Sequence, residues 1–218
     1  MPNLFEPRHT ALLVIDMQRD FLDPRGYAAR AGLDVSRLRS VIDPIRELVS
    51  AARAADLLIV HTREGHLTDL SDCPAYKLER SHRAGAPIGS SGPLGRLLVR
   101  GEYGHDFIDE LQPLSAETVI DKAGYSAFHG TDLALLLARR GITELLIAGI
   151  TTEVCVSSTL RAAVELGYRC YTIADACASS LPDLHEAALR MIDVEGGIFG
   201  FVTDCRSVLD CLGTPVMQ

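Results

Sequence analysis

"ELLIAGITTEVCVSSTLRAAVELG", residues 144–167, decides the fold. The part at 144–150 is a short apolar run of the kind that forms a strand covered on both faces. The part at 152–167 carries apolar residues at helical spacing and stops at a glycine. A strand running straight into a helix is half of a βαβ unit, and the same alternation recurs along the chain. "ALLVIDM" (11–17) precedes a helical pattern at 35–56, with Pro44 as an expected kink or break. "LLIVHTRE" (57–64) and "TVIDK" (118–122) read as strands, the latter leading into the helix "TDLALLLARRG" (131–141). "RCYTIADAC" (169–177) and "PDLHEAALRMIDVEG" (182–196) repeat the pair, and "IFGFVTD" (198–204) precedes a short final helix. Near-continuous apolar strands alternating with helices specify an α/β fold with a parallel sheet covered on both faces.

The 218 residues fit one domain, 1–218, with no repeat or linker. The segment 65–100 is longer than loops usually are, which marks it as a lid, a binding loop or a subunit contact. A net charge of −8 argues against nucleic acid and acidic membrane surfaces as partners. No apolar run reaches the ~20 residues of a membrane span, and the first residues lack the pattern of a signal peptide. The six cysteines include no C-x-x-C pair. Free thiols in a reducing cytoplasm are the expectation.

In an open parallel sheet, ligands sit outside the carboxyl ends of the strands. Asp16 ends the first strand, Lys122 ends the third, and Cys155 follows the fourth. Each alone has an ordinary reading: a turn cap, a solvated strand end, a small buried hydrophobe. A carboxylate, an ammonium and a thiol converging on one crevice describe a nucleophile and its activators. Cys155 falls in the first turn of its helix with Thr152 as expected N-cap, so the helix dipole would favour a thiolate. Lys122 would add positive charge, and Asp16 would take the thiol proton and pass it to a departing nitrogen. Backbone N–H groups at the start of the helix would form an oxyanion hole.

Two rival chemistries fit the sequence less well. "CVSSTLR" has the C-x5-R spacing of thiol phosphatases, but on a helix Arg161 would turn about 240° away from Cys155. His61, His66 and His82 with Asp69 and Asp72 show no tight ligand spacing, so neither a metal nor another cofactor is expected. Outside enzymes, the chain would be a silent binding subunit, whose mark would be loss of Asp16, Lys122 or Cys155; none is lost.

"LLVIDMQRDFLDP" (12–24), "VIDKAGYSAFHGTDL" (119–133) and "LIAGITTEVCVSSTLRAAVELGY" (146–168) resemble the three signature blocks of isochorismatase-like cysteine hydrolases. The resemblance implies a three-layer α/β/α fold with a six-stranded parallel sheet of order 3-2-1-4-5-6. It implies the triad Asp16, Lys122 and Cys155, a cis peptide at Ile150–Thr151, and oxyanion donors from the backbone N–H groups of Thr151 and Cys155. It further implies a homo-oligomer, a dimer or tetramer. The cysteine points to C–N cleavage, and "HTREGH" (61–66) stands where nicotinamidases carry their metal pattern, which argues against nicotinamide.

Within the cysteine branch, "HTREGHLTDLSDCPAYK" (61–77), "GPLGRLLVRGEYGHDFIDEL" (92–111) and "EGGIFGFVTD" (195–204) look most like biuret and triuret hydrolases, with ureidoacrylate and other N-carbamoyl amidohydrolases as near relatives. Glu195 stands where biuret hydrolases carry glutamine, and as an acceptor it suits a donor-rich substrate end such as that of triuret. The expectation is an amidohydrolase with a small-molecule substrate, releasing ammonia from triuret or biuret through a thioester, with ureidoacrylate or another N-carbamoyl compound as the alternative. Phe21, Tyr125 and Phe128 are candidate pocket walls, and Arg63 and His66 candidate holders of a substrate carbonyl or carboxylate.

Overall fold

The computed structural model describes residues 4–213. Its main sheet contains β1 (Thr10–Ile15), β2 (Leu58–Glu64), β3 (Thr118–Lys122), β4 (Glu144–Ile150), β5 (Arg169–Ala178) and β6 (Phe201–Thr203). Every neighbouring pair is parallel, in the order β3-β2-β1-β4-β5-β6, so the expected order 3-2-1-4-5-6 is the observed one.

The strands feed two apolar layers because successive side chains face opposite ways. On β1, Leu12 and Val14 face one layer, while Ala11, Leu13 and Ile15 face the other. The first layer is closed by α1 (Ile42–Ala54), through Ile45, Leu48 and Val49, and by Val208 and Leu209 of the helix Cys205–Cys211. The second is closed by Leu133 and Leu137 of the helix Leu133–Arg139 and by Leu160 and Ala163 of the helix Ser157–Glu165. This is the α/β/α sandwich that the alternation of patterns specifies.

The helical pattern at 35–56 divides differently from the expectation. A short helix, Val35–Arg39, ends first, and α1 begins at Ile42. Pro44 lies inside the first turn of α1, where its missing N–H would have no helical partner, so it neither kinks nor breaks the helix.

The segment 65–100 is built rather than loose. It contains α2 (Ala75–Arg83) and a small antiparallel pair, Ser91–Gly92 with Gly95–Arg96. The His66 N–H donates to Leu98 and the Arg100 N–H donates back to His66, tying its two ends together. The Leu98 N–H also donates to the buried Asp20 carboxylate at 2.8 Å, which fastens the segment to the turn after β1. The segment therefore lies over the carboxyl edge of the sheet.

Two backbone features shape that edge. Gly149 has φ +123°, and a Cβ there would run into the backbone of Ile15. Only glycine lets β4 approach β1 this closely, one residue before Asp16. Asp16 itself sits at φ +54°, a left-handed conformation rare for a residue with a side chain, and its N–H donates to the Thr62 carbonyl at 3.2 Å. All six cysteines are free thiols. Among the described residues no helix is long and apolar enough to cross a membrane.

Candidate active site

Four strands deliver the site. β1 ends in Asp16, β2 in Glu64 and β3 in Lys122, while β4 leads into Cys155. β2 and β3 pair in register at Glu64 and Lys122, so those side chains start side by side. The Lys122 Nζ donates to Asp16 Oδ2 at 2.7 Å and to the Gly124 carbonyl at 3.2 Å, and lies 3.8 Å from Glu64 Oε2. The other Asp16 oxygen, Oδ1, accepts from the Thr62 hydroxyl at 2.6 Å. The Cys155 thiol donates to Glu64 Oε2 at 3.3 Å, and Lys77 from α2 grips Glu64 Oε1 at 2.6 Å. The structure thus brings Asp16, Lys122 and Cys155 together, and adds Glu64 and Lys77 to them.

Glu64 and Lys77 were missed in the sequence. The signal for Glu64 was present, because it ends its strand as Asp16 and Lys122 end theirs. Alternation along β2 also puts Thr62 and Glu64 on one side and Arg63 on the other. Lys77 comes from a segment that reads as irregular, and its position depends on how α2 folds back.

Burial makes the charges of this cluster interdependent. Lys122 is 0 % and Asp16 1 % exposed. Burial raises the Asp16 carboxyl, Lys122 pulls it back, Glu64 pushes it up again, and the net position is above the usual carboxylate value. Glu64 is shifted the other way: burial would raise it, but Lys77 and Lys122 outweigh burial and hold it ionised. Lys122 is held charged against burial by Asp16, Cys155 and Glu64. Burial places the Cys155 thiol well above its ordinary value; Lys122 lowers it, and Asp16 and Glu64 raise it further. Burial thus keeps the resting thiol protonated, against the expectation that the helix dipole, with Lys122 beside it, would favour a thiolate. Two carboxylates and two ammoniums already cancel, so an unaccompanied thiolate would leave the buried cluster with a net negative charge.

The helical start also differs from expectation. Cys155 lies in a π-helical turn, Thr152–Val156, ahead of the helix Ser157–Glu165. Thr151, not Thr152, holds the N-cap position of that turn, without a side-chain capping hydrogen bond, and Thr152 Oγ1 is instead 2.8 Å from His185 Nδ1. The Ile150–Thr151 peptide is cis, as the resemblance implied.

A cavity of about 240 Å³ opens on the thiol, smaller than the ~300 Å³ at which drug-sized pockets begin. Phe21 and Tyr125 line it, together with Tyr27, Glu64, Arg80 and Glu153. Phe128, Arg63, His66 and Glu195 are not among its walls, which corrects their expected placement. Phe128 stacks on Tyr168 with ring centroids 5.9 Å apart, in the apolar layer on the second face of the sheet. Arg63 points away from Glu64 and is clamped by Asp121 and Asp106, at 2.7 and 3.0 Å. His66 is fully buried, with Nδ1 3.2 Å from Asp72 Oδ1. Glu195 is exposed at φ +53° beside Gly196 and Gly197, at the end of a helix.

The rival chemistries find no support in this geometry. Arg161 donates to Ser157 and lies over the Phe199 ring, away from Cys155. His61 bonds to Glu117 and His66 to Asp72, so the histidines do not gather. Among the described residues, Asp16, Glu64 and Cys155 are close enough to share a metal ion, their ligand atoms lying within 4.8 Å of one another. Lys77 and Lys122 already occupy both carboxylates, so an added cation would meet two ammonium groups, and this donor set does not fit a metal.

Known proteins resemble this chain along most of its length. The isochorismatase domain model matches residues 10–206. The ureidoacrylate amidohydrolase RutB of Serratia proteamaculans is 36% identical over 218 residues, covering 98% of this chain and 87% of that protein. The protein of the same name from Acinetobacter baylyi is 36% identical over 208 residues, covering 94% of this chain and 84% of its own. The crystal structure of a cysteine hydrolase from Pseudomonas syringae pv. phaseolicola superposes with a TM-score of 0.81 at 28% identity, covering 96% of this chain and 94% of that one. With a domain match that spans the sheet from β1 to β6 and every element of the site between them, the chain belongs to the isochorismatase family of hydrolases.

Proposed function

We propose that this chain is a cysteine-dependent amidohydrolase that breaks a C–N bond of a small ureide, with ureidoacrylate or a similar N-carbamoyl acid as substrate. The observation that carries the reading is the Cys155 thiol set between two buried carboxylates. It donates to Glu64 at 3.3 Å and lies within 4.8 Å of Asp16, which Lys122 holds at 2.7 Å. Burial raises the Asp16 carboxyl, while Lys77 and Lys122, against burial, lower that of Glu64. Environments that push two titratable groups apart assign them different roles. Glu64, held ionised by Lys77 and Lys122, is a poor proton acceptor and serves to orient the thiol. Asp16, raised by burial, is the base.

The thiol proton moves to Asp16 as the sulfur attacks the ureido carbonyl carbon. This transfer keeps the buried cluster neutral, since a new thiolate appears as one carboxylate disappears. Asp16 lies within 4.8 Å of the sulfur, and such contacts commonly tighten once substrate is bound. The backbone N–H groups of Thr151 and Cys155 receive the oxyanion, and Lys122 stabilises the negative charge. The C–N bond breaks, the departing nitrogen takes the proton from Asp16, and a thioester to Cys155 remains. Water attacks the thioester and gives its proton to Asp16. The sulfur leaves and regains that proton, and the acyl fragment departs as a carboxylate.

The names of the two relatives at 36% identity support ureidoacrylate. The triuret reading leaned on Glu195, which lies outside the cavity; it keeps the support of the blocks at 61–77 and 92–111. Ammonia release from ureidoacrylate, triuret, biuret and nicotinamide tests the substrate. Ureidoacrylate is expected to be the best of the four, and brisk release from triuret with none from ureidoacrylate would hand the site to the second reading. Cys155→Ser should lose about 10⁴-fold or more in kcat while its melting temperature stays put. Full activity in that variant would remove the nucleophile assignment.

A further inference from the structure

Around the thiol Asp16 pairs with Lys122 and Glu64 with Lys77, whereas two charged side chains that line the cavity, Arg80 and Glu153, form no ion pair among the described residues. Arg80 lines the cavity and, among the described residues, pairs with no carboxylate. Both terminal nitrogens reach only the Tyr27 hydroxyl, at 3.3 Å each, and its Nε is buried with no hydrogen-bond partner. The Arg80 guanidinium also lies 6.0 Å from the centroid of the Tyr125 ring, and the Glu64 carboxylate acts on it through space without an ion pair. A half-buried guanidinium satisfied by one phenol and one ring has donors to spare, and its planar fork matches a carboxylate. Tyr27 is 6 % exposed, and burial raises its hydroxyl further above neutrality despite Arg80, so it remains a phenol with a proton to donate.

We infer that Arg80 and Tyr27 form a subsite for the substrate's carboxylate, so that the enzyme selects N-carbamoyl acids over neutral ureides. The inference rests on the reading of the chain as a ureide amidohydrolase. The spacing agrees with it. Lys77 and Arg80 stand three residues apart on α2, hence on one face and about 5 Å from each other. Lys77 reaches the thiol cluster, and Arg80 lies one turn further along. From the ureido carbon to the carboxylate carbon of a ureido acid is four bonds, also on the order of 5 Å. Glu153 completes the match: it lines the cavity with Oε2 buried and unpartnered, an acceptor suited to ureido N–H groups. A ureido acid offers donors for Glu153 and an anion for Arg80, whereas triuret and biuret offer no anion.

A matched pair of substrates, 3-ureidopropionate and its carboxamide, reads the subsite directly. The wild-type enzyme should prefer the acid by about 10- to 100-fold in kcat/KM, the range for hydrogen bonds to charged groups. Arg80→Gln should erase that preference by raising KM for the acid, with the amide unaffected, and Arg80→Lys should restore part of it. Equal wild-type use of acid and amide, or an equal loss for both in Arg80→Gln, overturns the proposal. Calorimetry on Cys155→Ser separates this from the reading of the reaction. If neither compound is turned over, yet the acid binds Cys155→Ser and not the Cys155→Ser, Arg80→Gln double variant, the subsite stands and the assigned reaction falls. Turnover of both without dependence on Arg80 leaves the reaction standing and removes the subsite, as does failure of the acid to bind Cys155→Ser.

Discussion

The two ends of the cavity differ in how their charges are balanced. Around the thiol, Asp16 meets Lys122 and Glu64 meets Lys77, so the cluster is complete in itself. At Arg80 the protein supplies a phenol and a ring face and, among the described residues, no carboxylate within ion-pair distance. A self-balanced cluster can move a proton internally without creating net charge, which is what chemistry on a neutral carbonyl requires. An unbalanced cation waits for a charge from outside, which is what recognition requires. Reaction and selection are thereby placed on different elements: strand ends for the first, α2 for much of the second.

Breaking the balance at the reactive end should have the largest effects. Asp16→Asn keeps the shape but removes the proton acceptor, and kcat should fall by about 10²- to 10⁴-fold in single-turnover assays. Lys122→Met leaves Asp16 and Glu64 buried beside one remaining ammonium. Loss of a buried partner of this kind costs about 3–5 kcal/mol, readable as a lower urea midpoint. A variant as stable as the wild type would show that the cluster relaxes by some other route.

Glu64→Gln sharpens the comparison through pH. Asp16 is raised by burial and further by Glu64, so the acid limb of kcat/KM should lie above the ordinary carboxylate value of 3.8. Removing the negative charge of Glu64 lowers the Asp16 value, so the acid limb should move to lower pH. An unmoved limb would mean that Asp16 is not the group being titrated. The smallest effect belongs to the recognition end. Tyr27→Phe should raise KM for an acid substrate by about 2- to 10-fold, the worth of one hydrogen bond, with kcat unchanged.

Much of this molecule was legible in the sequence because its signals are local. Near-continuous apolar runs and helical stripes in 144–167 and its counterparts specify the layers, and the carboxyl-end rule gathers Asp16, Lys122 and Cys155. What escaped depends on the fold of 65–100. Arg63 was favoured over Glu64, although strand alternation sends Arg63 to Asp121 and Glu64 to the thiol. Lys77 reaches Glu64, and Arg80 the cavity, only because α2 is laid across the sheet edge, a tertiary fact with no local mark. Glu195 and Phe128 were selected by analogy of position; an exposed helix end and a stacked ring in the apolar layer hold them elsewhere.

The protonated, enclosed state of Cys155 bears on how the enzyme survives oxidants. Peroxides and alkylating agents attack the thiolate, and a thiol is spared in proportion to the time it keeps its proton. In the proposed mechanism the proton leaves the sulfur as a carbonyl receives the attack. The nucleophile should therefore be slow to form a sulfenic acid in air and slow to take up iodoacetamide, even in fully active protein. Reagents that present a carbonyl, such as small aldehydes, should capture it more readily than generic thiol probes do. The burial that makes the thiol a weak nucleophile at rest also serves as its protection.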